Sequence, residues 1–233
     1  MVSDEIGRSD PEGPPGEALA VRTAKQLVNV GVGGVGTFKG ASEVAEECLR
    51  HSNGDVEDAV KRAIKLHRRY ATTTGGATGL GGFVTLPLTL TAGLASSYII
   101  NTRMTATIAY LRGYDLDSEE VRVVLLATQL GSSGAVALQQ AGVNIGNKAM
   151  LAAVKKVPGK VLIDINKKVG FRLVTKAGTT GAVNLTKLVP LVGAPIGATA
   201  ENLTTRSVSR FALLNFPPLK LDAEPTDPQV STN

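Results

Sequence analysis

The sequence predicts an all-α domain, built as a compact multi-helix bundle with glycine-rich junctions between helices and disordered termini. Apolar residues recur at helical spacing in successive segments, and no segment sustains the alternation typical of strands. Only 4% of the 233 residues are aromatic, whereas 26 are glycine, a composition that suits closely packed helices. A chain of this length can bury a substantial core.

Three regions are predicted along the chain. Residues 1–16 are polar, acidic and rich in proline and glycine, which is typical of a disordered lead. Residues 17–216 form the helical domain, and residues 217–233 form a second disordered tail. The lead does not resemble a signal peptide, and a single cysteine, Cys48, fits a reducing compartment. We therefore expect a cytoplasmic protein.

The first three helices are predicted from their periodicity and their end signals. Glu17–Val30 ends at a glycine cluster, and Ala41–Ser52 ends at Asn53-Gly54. Asp55, together with Asp58, caps the next helix, which starts at Val56. That helix carries five basic residues just before a glycine-rich stretch: Lys61, Arg62, Lys65, Arg68 and Arg69.

Two more helices follow. A long apolar helix is predicted from Phe83 to Leu111, with Pro87 in its first turn and Gly113 closing it. Asp117 followed by Glu120 resembles a capping box at the start of the next helix. Beyond Gly131 the chain continues as helical pieces interrupted by glycine and proline.

The glycine-rich junctions are predicted to be places of close helix packing. Glycines four residues apart let two helix backbones approach each other. The residues assigned to these junctions are Gly75, Gly79, Gly82, Pro87, Gly142, Gly146, Gly193 and Gly197.

Two stretches without charge leave the relation to a membrane open. Residues 71–102 and 123–147 span 32 and 25 residues, and about 20 apolar residues suffice to cross a bilayer. Basic residues flank both stretches, as the positive-inside rule requires of an integral hairpin. The stretches are nevertheless rich in Thr, Ser, Gln and Asn, so buried helices of a bundle explain them at least as well.

Charge is strongly segregated along the chain. Residues 1–60 carry 5 basic and 11 acidic residues, whereas residues 61–187 carry 17 basic and 5 acidic ones. Lysines between 148 and 187 alternate with Val, Ile and Leu, which favours contact with an anionic membrane over nucleic acid, because Phe171 is the only aromatic residue there. A solvated face of a soluble bundle is the equally weighted alternative. The candidate contacts are Lys155, Lys156, Lys160, Lys167, Lys168 and Arg172.

Motifs for catalysis are weak. Gly31–Gly36 spells GVGGVG, but a dinucleotide site needs a preceding strand and further βαβ units, and Thr37 stands where a Walker A loop has lysine. We interpret this loop as a flexible connection between helices.

Cys48 and His51 share one helical face, yet chance explains that spacing better than catalysis does. We predict no enzyme activity, no catalytic residues, no metal and no cofactor.

Three sequence blocks occur in order between Ala20 and Phe216: GLGGFVTLPLTLTAGLASSYIINTRMTATIAYLRGYDLDSEEVRVVLLATQLGSS, KKVPGKVLIDINKKVGFRLVTKAG and NLTKLVPLVGAPIGATAENLTTRSVSRFA. In these blocks the chain resembles the EcsC protein family of bacteria. The resemblance implies an α-helical domain, named after a gene beside an ABC-transporter operon, with suspected membrane association and no established catalytic activity.

Particular positions carry the resemblance. They are the glycine-rich turn before Pro87, the turn Gly113–Leu116, and Arg103. The sequence departs slightly from the family pattern at Pro195 and at Glu201-Asn202, which affects the helix geometry expected there.

Three functions remain as hypotheses. The first is a non-enzymatic protein that binds an anionic membrane surface or a membrane protein complex, as an accessory to transport or secretion. The second is a soluble carrier or sensor of an apolar, lipid-like ligand, and the third is an integral membrane hairpin. Nucleic acid is not expected as a partner, and the sequence does not indicate an oligomeric state.

Overall fold

The computed structural model describes residues 15–72, 92–129, 132–140, 142–143, 153–154, 156–157, 167 and 204–219. These residues form α1 (Pro15–Gly33), α2 (Ala41–Arg50), α3 (Val56–Thr72), α4 (Ala92–Leu111), α5 (Glu119–Gln129) and α6 (Ser132–Gln140). A further helix spans residues 204–215 and is called here the 204–215 helix. The described residues contain an isolated bridge between Val35 and Phe38 but no strand, so the predicted all-α fold is confirmed.

Helix α4 lies at the centre of the bundle and packs against α1, α2, α3 and α5. Every residue from Ile99 to Ala109 is buried, so the helix has no exposed face over three turns. One side of α4 joins α1, α5 and α6 in the larger apolar cluster. The other side joins α2, α3 and the 204–215 helix in a second cluster, which includes Met104 and Ile108.

Polar side chains are buried along α4 and most of them find acceptors inside the bundle. Thr105 donates to the carbonyl of Asn101 at 2.9 Å, and Thr107 donates to the carbonyl of Ala41 at 3.3 Å. Such bonds offset the cost of removing hydroxyl groups from water. In the part of the chain that the structure describes, no helix combines the length and the apolarity that crossing a membrane requires.

Several helix ends agree with their sequence signals. Asp55 Oδ1 accepts the backbone N–H of Asp58 at 2.8 Å, which is the predicted cap of α3. Asn53 and Gly54 have positive φ angles of 50° and 85° and end the turn after α2. Gly113, at φ 86°, ends α4, and the N–H of Tyr114 bonds to the carbonyl of Ala109 at 3.0 Å as in a Schellman motif.

The cap predicted for α5 is wrong by one residue. The helix begins at Glu119, and the carbonyl of Ser118 accepts the first helical N–H, from Arg122. The Ser118 hydroxyl donates to Glu120, whereas the carboxylate of Asp117 pairs with Arg122 at 3.2 Å. Asp117 therefore holds a side chain of the helix instead of capping its backbone.

Gly31 and Gly34, at the end of α1, are packed closely, whereas the sequence suggested a flexible connection. Helix α1 continues to Gly33, beyond the predicted end at Val30. A Cβ on Gly31 would lie 2.8 Å from the side chain of Thr102, so this glycine sets the approach of α1 to α4. Gly34 has φ 75° and turns the chain tightly against Phe38 and Gly40.

Of the glycines assigned to close packing, the structure describes Gly142, and it has a different role. Gly142 follows α6 with φ 82°, and no described atom lies within 4 Å of its would-be Cβ. Its backbone conformation, not helix approach, requires glycine. The other predicted junction residues lie outside the described residues: Gly75, Gly79, Gly82, Pro87, Gly146, Gly193 and Gly197.

The segment from 204 to 219 is fastened to the end of α4. Arg112 Nη1 donates to the carbonyls of Phe216 at 2.7 Å and Leu213 at 3.1 Å, at the negative end of the 204–215 helix. The Tyr114 hydroxyl donates to the Pro217 carbonyl at 2.8 Å. The turn that begins at Gly113, singled out in the sequence, thus docks this late segment.

Candidate functional site

Helix α3 presents a basic outer face. At 100° per residue, its five basic side chains fall within about 120° of the helix circumference. We call this set the basic face of α3: Lys61, Arg62, Lys65, Arg68 and Arg69. No Asp or Glu occurs between Asp58 and Asp115, so no acidic residue interrupts this face.

Three members of the basic face are directed to solvent and have no ion-pair partner among the described residues. They are Lys61, Arg62 and Lys65. Arg69 is also exposed, and Arg68 is half-buried. The neighbouring helix α2 has the opposite charge, with Glu43 and Glu46 exposed, so the segregation seen in the sequence persists on the surface.

The inner face of α3 buries a histidine. His67 is 0% exposed, and its Nδ1 lies 2.8 Å from the carbonyl of Ala63. This contact requires a proton on Nδ1, which leaves Nε2 as an acceptor. Burial, and secondly the charge of Arg103, lower the pKa of His67 to about 3, so the imidazole is neutral.

Arg103 of α4 donates to this acceptor. Its Nε lies 3.1 Å from His67 Nε2, and its Nη1 lies 3.3 Å from the carbonyl oxygen of Lys39. The residue is 4% exposed, and burial lowers its pKa to about 10, so the guanidinium stays charged at neutral pH. One side chain thereby joins the α1–α2 connection to the last turns of α3.

Two aromatic rings cover the guanidinium. Its Cζ lies 3.8 Å from the ring centre of Phe38 and 5.1 Å from that of Tyr70. Both distances fall within the range of cation–π attraction. The partners of this buried cation are therefore rings, an imidazole and a carbonyl. No carboxylate among the described residues forms an ion pair with it.

This arrangement was not predicted from the sequence, in which Arg103 was noted only through the family resemblance. A signal was nevertheless present, because Val60, Ala63, His67 and Ala71 follow helical spacing along the apolar stripe of α3. A histidine on that stripe is expected to be buried and hydrogen-bonded.

The other candidate nucleophile and metal residues are not assembled into a site. Cys48 is 3% exposed within the apolar cluster of α2 and α3, and burial raises its thiol pKa. His51 is exposed beyond the end of α2 and bonds to the carbonyl of Glu47. No group of three potential metal ligands occurs among the described side chains.

Most of the predicted membrane contacts lie outside the described residues, namely Lys155, Lys160, Lys168 and Arg172. Lys156 is exposed, as a membrane contact requires. Lys167 is half-buried and engaged by neighbours.

A surface cleft of about 360 Å³ lies between α1 and α5. Its walls combine charged and apolar groups: Lys25, Val28, Asn29, Glu119, Arg122, Val123 and Leu126. The Arg122 guanidinium is held in place by Asn29 Oδ1 at 2.7 Å and by the carbonyl of Leu116 at 3.1 Å. This cleft is separate from the basic face of α3.

Comparison with known proteins identifies the family on a part of the chain that holds most of these features. No curated protein and no solved structure matches the chain. The model of the EcsC protein family matches residues 46–216, which include α3, Arg103 and the 204–215 helix. Since this match covers well over half of the sequence, the chain belongs to the EcsC protein family.

Proposed function

We propose that this chain is a non-enzymatic helical protein that binds an anionic membrane surface peripherally on the cytoplasmic side, as an accessory to transport or secretion. The observation that supports this most directly is the basic face of α3. Exposed Lys61, Arg62 and Lys65 have no carboxylate partner among the described residues. Their charges are thus available to anionic lipid headgroups.

The expected strength of this contact follows from simple electrostatics. Each basic residue near an anionic membrane contributes about 1 kcal/mol, and the effect fades within a Debye length. Removing three such charges should therefore weaken binding about a hundredfold. The sequence-predicted block that contains Lys155, Lys156 and Lys160 would add to the same attraction.

Co-sedimentation with vesicles tests the proposal. The protein should pellet with vesicles containing phosphatidylglycerol and remain in solution with pure phosphatidylcholine. The triple variant Lys61→Gln/Arg62→Gln/Lys65→Gln should lose most of this binding. A matched triple variant removes the same charge from exposed positions outside α3, namely Arg22, Lys25 and Arg50, and should bind nearly as well as the wild type.

A third triple variant, with glutamine at Lys155, Lys156 and Lys160, distinguishes the contribution of this block to vesicle binding from that of the basic face of α3. Equal pelleting with neutral and anionic vesicles, or none with either, would refute binding to an anionic lipid surface. Binding to native membranes but not to pure lipid vesicles would identify a membrane protein complex as the partner. A salt wash followed by a carbonate wash distinguishes peripheral association, which is released, from an integral hairpin.

A second candidate function is the carriage of an apolar or lipid-like ligand. The cleft between α1 and α5 favours it, because Val28, Val123 and Leu126 form an apolar lining beside Lys25 and Arg122. Native mass spectrometry of gently purified protein checks this function. A ligand mass that is lost in a Val123→Asp variant would support it, and a ligand-free wild-type chain would count against it.

A further inference from the structure

We propose that Arg103 binds one phosphate group, through the edge of its guanidinium formed by Nη1 and Nη2. This site goes beyond the proposed membrane contact, because Arg103 lies on α4 and does not belong to the basic face of α3.

Described hydrogen bonds engage only some of the N–H groups of the Arg103 side chain. A guanidinium has five N–H groups, and acceptors among the described residues engage one on Nε and one on Nη1. Nη2 has no acceptor in the described part of the chain, although Arg103 is 4% exposed. Nη2 is not one of the fully buried unpaired atoms of the described residues, so a ligand can reach it and supply an acceptor.

No described residue supplies a counter-charge that pairs with Arg103. The sequence between Asp58 and Asp115 contains no Asp or Glu, so the stretch leading into α4 cannot supply one either. The carboxyl end of α3 contributes about half a negative charge at most, which leaves the cation partly uncompensated.

The groups around the guanidinium leave its Nη1–Nη2 edge as the direction of approach. Cζ lies over the rings of Phe38 and Tyr70, and His67 occupies the Nε position. Phosphate oxygens bind guanidinium groups within the guanidinium plane, through two parallel N–H donors. The open donors on Nη1 and Nη2 provide this geometry. Tyr70 is 46% exposed, so the cluster reaches the protein surface beside it.

The phosphate could belong to a lipid headgroup or to a free phosphate, since both present the same oxygens. The basic face of α3 would concentrate either one near the site, because Arg69 directly precedes Tyr70. A lipid headgroup would make Arg103 the specific contact of a membrane-bound state. A free phosphate would make it a sensor site that acts without a membrane.

The test follows the Arg103 Nε–H signal by ¹⁵N NMR in the full chain. Its hydrogen bond to buried His67 should slow proton exchange and keep the signal visible, and its absence from Arg103→Lys assigns it. Inorganic phosphate should shift this signal saturably at constant ionic strength, while chloride should not. No shift, or equal shifts with both anions, would overturn the proposal.

Further experiments identify the source of the phosphate and test whether the Arg103 site binds it without the basic face of α3. A shift with soluble dihexanoyl phosphatidic acid but not with inorganic phosphate assigns the lipid headgroup. The triple variant Lys61→Gln/Arg62→Gln/Lys65→Gln should lose vesicle binding but keep the phosphate-dependent shift. Loss of both vesicle binding and the phosphate-dependent shift in that variant would place the anion on α3 and refute the Arg103 site. Loss of vesicle binding alone bears only on the proposed function.

An internal carboxylate is the remaining competitor. Between residues 144 and 203 the sequence contains Asp164 and Glu201 as acidic residues, and the terminal segments outside the described residues contain seven more. The variants Asp164→Asn and Glu201→Gln should leave the Arg103 signal of the phosphate-free protein in place. Removal of residues 1–14 and 220–233 should likewise leave the Arg103 signal in place. Displacement of that signal in either variant or in the shortened chain would reveal an internal partner and overturn the inference.

Discussion

The Nε of Arg103 donates a hydrogen bond of 3.1 Å to Nε2 of His67, and both side chains are buried between α3 and α4. The bond requires an imidazole that is neutral and protonated on Nδ1, since a protonated His67 would present a second cation to Arg103. The fold therefore contains a polar contact that survives only while one histidine stays uncharged.

This contact predicts a dependence of stability on pH. The pKa of His67 is about 3 in the folded chain, below the ordinary value of 6.5. The unfolded chain therefore binds the extra proton between these values, and stability that is full above about pH 6.5 is lost as the pH falls. From pH 7.5 to 5.0 the free energy of unfolding should drop by about 2 kcal/mol through this residue.

Urea unfolding at several pH values measures this effect. A His67→Gln variant should be less stable at neutral pH but should lose the His67 part of the pH dependence. The control His51→Gln changes an exposed histidine and should retain the wild-type slope. Equal slopes in the His67 variant and the wild type would show that folding does not lower the pKa of His67.

The ends of several helices could be predicted from the sequence, because each end is determined by residues within a few positions of it. Gly113 and Asn53-Gly54 end helices through positive φ angles, and Asp55 caps α3 through its own side chain. The α5 cap was misplaced because Asp117 and Ser118 both suit the position. The choice depends on Arg122, which binds Asp117 from one turn further along.

Features that depend on tertiary contacts were not predicted from the sequence. His67 and Arg103 lie 36 residues apart, and only the antiparallel packing of α3 on α4 brings them together. The packing role of Gly31 was missed for the same reason, because it depends on Thr102 of another helix. The contacts proposed at Lys155, Lys160, Lys168 and Arg172 stay predictions.

A second prediction concerns Arg112, which binds Glu57 as well as the end of the 204–215 helix. Its Nε and Nη2 lie 3.2 Å and 3.0 Å from the two carboxylate oxygens. Arg112→Met should lower the free energy of unfolding by about 3 kcal/mol, because it leaves the carbonyls of Leu213 and Phe216 without their donor.

The matched variant Glu57→Gln should cost less than about 1 kcal/mol, since the Glu57 side chain is 52% exposed and water screens the ion pair. Chemical denaturation of both variants provides the comparison. Similar losses in the two would mean that the ion pair, not the carbonyl contacts, accounts for the stabilising effect of Arg112.

The third prediction concerns Cys48, whose rate of alkylation reports how readily α2 and α3 separate. Its thiol is 3% exposed and burial raises its pKa, so little reactive thiolate is present in the folded chain. Alkylation by iodoacetamide should therefore be slow in buffer and fast in denaturant. The Arg112→Met variant should react faster than the wild type if α3 is loosened, whereas fast labelling of the wild type would contradict a closed α2–α3 contact.

Gly31 and Gly33 provide the fourth prediction, in which the same substitution has opposite consequences on one helix. A Cβ at Gly31 would lie 2.8 Å from the Cβ and Cγ2 of Thr102, so Gly31→Ala should push α1 away from α4. Overpacking of this kind typically costs about 1–3 kcal/mol. A Cβ at Gly33 would meet no described atom within 4 Å, so Gly33→Ala should be neutral or slightly stabilising.

Thermal unfolding of the two variants measures the contrast, with helicity checked by circular dichroism. Gly31→Ala should unfold several degrees below the wild type, and Gly33→Ala at or above it. Because both changes replace a glycine of the last turn of α1 by alanine, the difference between them chiefly reports the α1–α4 contact. Equal melting temperatures would show that α1 adapts without loss and that Gly31 does not set its distance from α4.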